Sequence, residues 1–159
     1  MPSWVGALLP ATCGQRGFFF SATGHTCLSW AGAPRGRLLD GIHLLGEWYE
    51  CPADTPEFTR AEALRATCLD AVRAAALTVV GDAFHQFAPQ GVTGTVLLAE
   101  SHLAIHTWPE CGFVTVDVYV CNLATDNSDK AERLFRALEA ALKPKRTKFQ
   151  VIHRGSVDD

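Results

Sequence analysis

Phe113–Cys121 (FVTVDVYVC) alternates apolar and polar positions without a break, the period-two signature of a strand with one buried face. Gly41–Tyr49 (GIHLLGEWY), closed by Cys51-Pro52, predicts the first strand. Leu64, Cys68, Val72, Ala75 and Val79 recur at helical intervals. Thr59 followed by Glu62 has the spacing of a capping box, so a first helix is expected from that point. Val80–Phe87 predicts a second strand, and Ala88-Pro89-Gln90-Gly91 turns the chain. Thr95–Ala99 and His102–Trp108 predict two further strands on either side of Glu100-Ser101. A second helix is expected to start between Asp126 and Ser128. It carries Ala131, Leu134, Phe135, Leu138 and Leu142 on one face and is stopped by Pro144. Lys148–His153 predicts the last strand.

The order strand, helix, several strands, helix, strand predicts an α+β fold: a two-layer sandwich, with an antiparallel sheet carrying two helices on one face. The other face is left to solvent or to a partner subunit. Residues 1–37 show neither helical nor strand period and are rich in Gly, Ala, Pro and Arg. They are expected to form an extension outside the core, either disordered or contributed by a start codon assigned too far upstream. Residues 38–159 are then the domain proper.

Composition narrows the function class. The chain has 159 residues, the size of one domain, with 48% hydrophobic and 19% charged residues, a globular balance. A net charge of −3 gives no basis for nucleic acid or an anionic membrane as partner. No apolar run reaches the ~18 residues that span a bilayer. The six cysteines include no CxxC pair and match no zinc spacing, so no metal site is expected. A reduced, cytoplasmic chain fits them, with Cys68 buried on a helix face.

The chemistry is concentrated between Gly91 and Asn122. Glu100-Ser101-His102 lies between two apolar runs, His106 follows five residues after the serine, and Cys121 closes the next strand. Each of these, taken singly, is an ordinary residue of turns and strands. Together, LAESHLAIHTWPE, with GEWYEC and FHQFAPQGVTG before it and VDVYVCN after it, resembles the prokaryotic S-adenosylmethionine decarboxylases over roughly 39–154.

That resemblance implies a small α+β sandwich that cleaves itself between Glu100 and Ser101, giving a β chain that ends at 100 and an α chain that begins at 101. It implies a covalent pyruvoyl cofactor made from Ser101, and a homodimer of cleaved protomers with active sites near the subunit interface. The expected activity is decarboxylation of S-adenosylmethionine to the aminopropyl donor for spermidine synthesis. A decarboxylase needs an electron sink for the carbanion left by CO₂, and a ketone joined to the substrate amine as a Schiff base supplies one. Serine fits because it offers both a nucleophilic oxygen and a skeleton that eliminates to that ketone.

By the same resemblance Thr93 and His106 serve self-processing, one polarising the carbonyl and the other taking the α-proton. The family commonly has serine at the position of Thr93; both carry a hydroxyl. An imidazole, with an ordinary pKa of about 6.5, suits a base. Cys121 matches the proton donor of turnover, since a thiol with an ordinary pKa of about 8.5 is mostly protonated at neutral pH. Phe87 matches an aromatic that stacks on adenine, and Glu110 a carboxylate for ribose hydroxyls. Trp108 and His102 have supporting places in the motif, Cys111 is incidental, and His43 and His153 are read as ordinary residues. Two alternatives stand beside this reading: an arginine or ornithine decarboxylase of the same fold, and a non-processing regulatory homologue. The intact set Glu100, Ser101, His106 and Cys121 speaks against the second.

Overall fold

Six extended segments decide the architecture, with period-two burial clearest at 92–98, 101–108 and 113–121. The computed structural model describes residues 40–155; the extension expected at 1–37, with Cys13 and Cys27, lies outside them. The elements run β1 (Gly41–Tyr49), α1 (Pro56–Thr59), α2 (Ala61–Ala74), β2 (Val79–Gln86), β3 (Val92–Leu98) and β4 (Ser101–Trp108). A 3₁₀ turn (Pro109–Cys111), β5 (Phe113–Cys121), α3 (Ser128–Leu142) and β6 (Arg146–Arg154) follow. The strands form one sheet in the order β2-β3-β4-β5-β1-β6, each neighbouring pair antiparallel. The long helices α2 and α3 pack on each other and on one face of the sheet, α2 over β2 and β3, α3 over β1 and β5. This is the α+β sandwich expected.

Alternate residues of the central strands supply the core: Val92 and Val96 from β3, Leu103 and Ile105 from β4, and Val114 to Val120 in steps of two from β5. Leu64 and Val72 of α2 and Leu134, Phe135 and Leu138 of α3 close it from above. Burying each such side chain contributes about 1.5–3 kcal/mol. The only buried polar residue among those described, Thr107, is fully engaged: its Oγ1 accepts from Val92 N–H and donates to Phe58 O, both at 2.9 Å. Burial pushes the Cys68 thiol up to about 12, so it serves only as packing.

The helix over residues 59–79 departs from expectation at both ends. Pro56 starts a separate one-turn helix, a position that its fixed φ suits and where no N–H is missed. Thr59 ends that turn, and its hydroxyl donates to Thr55 O at 3.1 Å rather than capping α2, whose N-cap is Arg60. The capping box is therefore not made. At the other end Ala75 is the C-cap and Val79 already belongs to β2. A third, short helix thus joins the two expected. Other bounds shift by a few residues: β3 begins at Val92 rather than Thr95, and β6 runs over Arg146–Arg154 rather than 148–153.

α3 is pinned at its centre by aromatic packing. Phe135 meets Trp48 edge-on with ring centroids 5.2 Å apart, and lies against Phe149 at 4.9 Å. Its ring occupies the space above Gly46, where a Cβ would come within 2.6 Å of it. Phe135→Ala is therefore expected to destabilise the protein by about 3–5 kcal/mol, because a cavity under α3 cannot close over Gly46. Urea unfolding of the two proteins measures this; a loss under about 1 kcal/mol would mean that the helix settles without the ring.

Candidate active site

The site residues lie on the uncovered side and at the two ends of the sheet. At one end, the two-residue turn Ala99-Glu100 joins β3 to β4, with Leu98 opposite Ser101. Glu100 sits in the left-handed region at φ 59°, where a side chain costs roughly 1–2 kcal/mol relative to the ordinary basins. Ser101 follows as the first residue of β4. Its Oγ accepts a hydrogen bond from the Cys121 backbone N–H at 3.2 Å, so the hydroxyl oxygen takes the last rung of the β4–β5 ladder. The buried Cys121 is fixed from behind: its carbonyl accepts from Asn127 Nδ2 at 2.9 Å, while Asn122 Oδ1 accepts from Asn127 N–H and Asn122 Nδ2 donates to Ser128 Oγ. Glu100, Ser101 and Cys121 form one group.

The second group is at the other end of β3 and β4. The register that pairs Leu98 with Ser101 pairs Thr93 with His106, and Thr93 Oγ1 and His106 Nδ1 share a hydrogen bond of 2.6 Å whose direction follows the imidazole tautomer. His106 and Trp108 tilt together with ring centroids 5.9 Å apart. With Thr93, Phe87 and Glu110 they line a cleft of about 570 Å³ under the loop 87–91. Gln86 fastens that loop, donating to Thr59 O and Gly91 O at 2.9 Å while accepting from Ala61 N–H at 2.8 Å. Phe87 is half-exposed, its ring edge-on to His85 at 4.9 Å. Glu110 rides the 3₁₀ turn at the rim, and Cys111 beside it is exposed. The cleft has flat aromatic walls, an imidazole held by a hydroxyl, and a carboxylate at the mouth.

One chain does not bring the two groups together. Five residues of extended strand separate Ser101 from His106, roughly 16 Å at ~3.3 Å per residue. The two also alternate to opposite sides of β4, Ser101 in phase with buried Leu103 and Ile105, His106 in phase with the open face.

Three residues near Ser101 have a closer relation to it than their sequence context indicates. Tyr119, His43 and Arg154 gather beside His102 on the open face: Tyr119 lies 5.6 Å from His102 and 6.0 Å from His43, and Arg154 stands over the Tyr119 ring. Burial holds His43 below the usual imidazole range, with His102 and Arg154 adding to the shift and Asp117 opposing it. The alternation of β5 puts Tyr119 on the same face as Cys121, a signal available in the sequence. Arg154 lies one residue past the last strand as expected, and gave none.

Among the described residues no group of three or more His, Cys, Asp or Glu could hold a metal ion, and no helix is long and apolar enough to cross a membrane. Comparison with known proteins gives a consistent result. The family model for S-adenosylmethionine decarboxylase matches residues 42–155. An S-adenosylmethionine decarboxylase proenzyme from Aquifex aeolicus is 44% identical over 119 residues, 75% of this chain and 84% of the relative. One from Archaeoglobus fulgidus is 36% identical over 118 residues, 74% of this chain and all of the relative. The crystal structure of the Aquifex aeolicus adenosylmethionine decarboxylase superposes with a TM-score of 0.67 at 41% identity, covering 77% of this chain and 96% of that one.

Proposed function

Since the chain belongs to the S-adenosylmethionine decarboxylase family, we propose that it cuts itself between Glu100 and Ser101 and then releases CO₂ from S-adenosylmethionine. The product is the aminopropyl donor for spermidine synthesis. The observation that carries this reading is the position of Ser101, directly after a left-handed Glu100, with its Oγ held by the Cys121 N–H. We place the enzyme in the cytoplasm, where its free thiols (Cys51, Cys68, Cys111 and Cys121 among those described) stay reduced.

In self-processing Ser101 Oγ attacks the Glu100 carbonyl carbon, and the amide nitrogen leaves as the Ser101 amine, giving an ester at Oγ. A base removes the Ser101 α-proton; the Cβ–Oγ bond then breaks, and its electron pair leaves with the Glu100 carboxylate. Tautomerisation, addition of water and loss of ammonia turn the remaining dehydroalanine into pyruvoyl. The residues present fit this group: a serine at the head of a strand, with a thiol on the neighbouring strand. Once formed, the pyruvoyl ketone supplies the electron sink for the pair left by departing CO₂.

The side chains divide the remaining tasks. His106, oriented by the Thr93 hydroxyl, takes the α-proton in processing; a positioned base of this kind is typically worth 10²–10⁴-fold. The Cys121 thiol returns a proton to the substrate α-carbon. Phe87 and Trp108 present ring faces to adenine and to the sulfonium, where cation–π attraction contributes roughly 0.5–2 kcal/mol. Glu110 accepts from the ribose hydroxyls.

The strand length between Ser101 and His106 gives this proposal its quaternary form. Because one chain holds them about 16 Å apart, a working site combines Ser101 and Cys121 of one copy with Thr93, His106, Phe87, Trp108 and Glu110 of a second. The open face, with Leu97 half-exposed and Trp108 at its rim, is the surface through which the copies join.

Two outcomes are expected. Purified wild type gives two fragments by mass spectrometry, the smaller blocked at its N-terminus, and releases CO₂ from S-adenosylmethionine, whereas Ser101→Ala stays whole and inactive. Efficient cutting at this junction in Ser101→Ala would remove the serine from the mechanism. Separately, Ser101→Ala and His106→Ala chains, each inactive alone, should recover processing and activity when co-expressed, because the mixed dimer builds one complete site from Ser101 of one chain and His106 of the other. No recovery in mixed dimers that are shown to form would require both residues from the same chain.

A further inference from the structure

The cleft at the Glu100–Ser101 junction contains a cation that neither the motif nor the proposed turnover uses. Glu100, Ser101, His102, Tyr119 and Arg154 line this cleft of about 570 Å³. Arg154 reaches it from the last residue of β6, in the cross-strand row Cys121, Gly41, Arg154. Its guanidinium carbon stands 5.4 Å above the centre of the Tyr119 ring, a face that attracts and orients it. Tyr119 can occupy that place because residue 41 is glycine: a Cβ there would come within 2.7 Å of the phenol oxygen. Among the described residues Arg154 pairs with no carboxylate. His43, the imidazole behind Tyr119, is held toward its neutral form by burial, which leaves Arg154 as the permanent positive charge beside the junction.

Self-processing creates negative charge at this junction. Before elimination, the Ser101 oxygen is bonded to both Cβ and the Glu100 acyl carbon, the Ser101 nitrogen is a free amine, and the ester oxygens carry no formal charge. When the α-proton goes to the base and the Cβ–Oγ bond breaks, the electron pair settles on the Glu100 terminal carboxyl. Residue 100 then bears two carboxylates. The oxygen released from Ser101 is the one that accepts from the Cys121 N–H, so it can keep that donor as it leaves. One backbone N–H is a modest match for a full charge. A guanidinium offers two parallel donors in a fork that fits both carboxylate oxygens.

We propose that Arg154 receives the carboxylate expelled from Ser101, so that it speeds the elimination step of self-processing and afterwards holds the new chain end. This rests on the self-cleaving reading above and adds a residue to it. Charge that develops on a leaving group is stabilised most by a donor already in place, so the effect falls on elimination rather than on the preceding acyl shift. Lysine would keep the charge and lose the fork.

The test follows the full-length precursor made by cell-free translation, with processing timed by intact mass. Samples are quenched in hydroxylamine, which splits an ester at residue 101 into a Glu100 hydroxamate and a fragment that begins with free serine. Arg154→Gln is expected to slow appearance of the blocked fragment by about tenfold or more and to accumulate the hydroxylamine-labile species. Arg154→Lys should recover much of the rate and accumulate less of that species. Thermal midpoints of the variants on a Ser101→Ala background separate a folding defect from a chemical one. Processing of Arg154→Gln within about twofold of wild type, or slowing without a labile ester, overturns the role given to Arg154. The same holds if lysine is no better than glutamine. A wild-type chain that is never cut at this junction overturns the self-cleaving reading itself, which is a different result.

Discussion

A two-residue turn sets the register on which both halves of the site depend. Ala99-Glu100 is too short to allow slack, so Leu98 must face Ser101 and, five rungs further on, Thr93 must face His106. One inserted residue would slide β4 by a position and turn His106 from the open face into the core. The hydroxyl–imidazole pair, the position of Ser101 at the strand head and the cleft under the loop 87–91 are therefore one consequence of how tightly β3 returns into β4. The left-handed Glu100 is where the backbone bears the cost of that tightness.

The sandwich has only one covered face, and this asymmetry separates stability from chemistry. The face under α2 and α3 takes nearly all the large aliphatic side chains, and its enclosed polar groups among the described residues include the Thr107 hydroxyl and the Trp48 indole N–H. The opposite face carries His43, Thr93, His102, His106, Asp117 and Tyr119, groups that would be costly to bury without partners. Substitutions on the open face can change reactivity without disturbing the core, while the core fixes where those groups point. Arg65, forked onto Asp82, ties α2 to the edge strand β2, next to the loop that roofs the cleft.

Much of this was readable in the chain. β1 and β5 have the bounds expected, β5 from its unbroken alternation and β1 from the turn residues that close it. The buried face of α3 is the one predicted, since five apolar residues at helical spacing precede Pro144. The start of the first helix differs from expectation because Thr59 and Glu62 satisfy the capping-box spacing, yet Pro56 begins a separate turn that claims the threonine hydroxyl. The site residues were legible as a motif but not as an arrangement. A contiguous run such as LAESHLAIHTWPE suggests neighbours, yet an extended strand carries its fifth residue far from its first. Arg154 was silent for another reason: a single basic residue on an exposed strand has no periodicity to betray it, and only the register through Gly41 brings it beside the junction.

The proposed scissile bond lies at the tip of a hairpin that is the second and third strand of a six-stranded sheet. Closing so short a loop costs little entropy while the polymer is continuous, so the intact chain pairs β3 with β4 as a local event. Cutting there changes the ladder only at residue 101, leaves the pairing from His102 to Thr107 in place, and removes the tether. From that moment, unfolding releases two separate molecules, residues 1–100 and 101–159, and reassembly becomes a bimolecular search that slows with dilution. The chain would fold once as a single polymer, and afterwards its lifetime would be set by an unfolding rate rather than by an equilibrium.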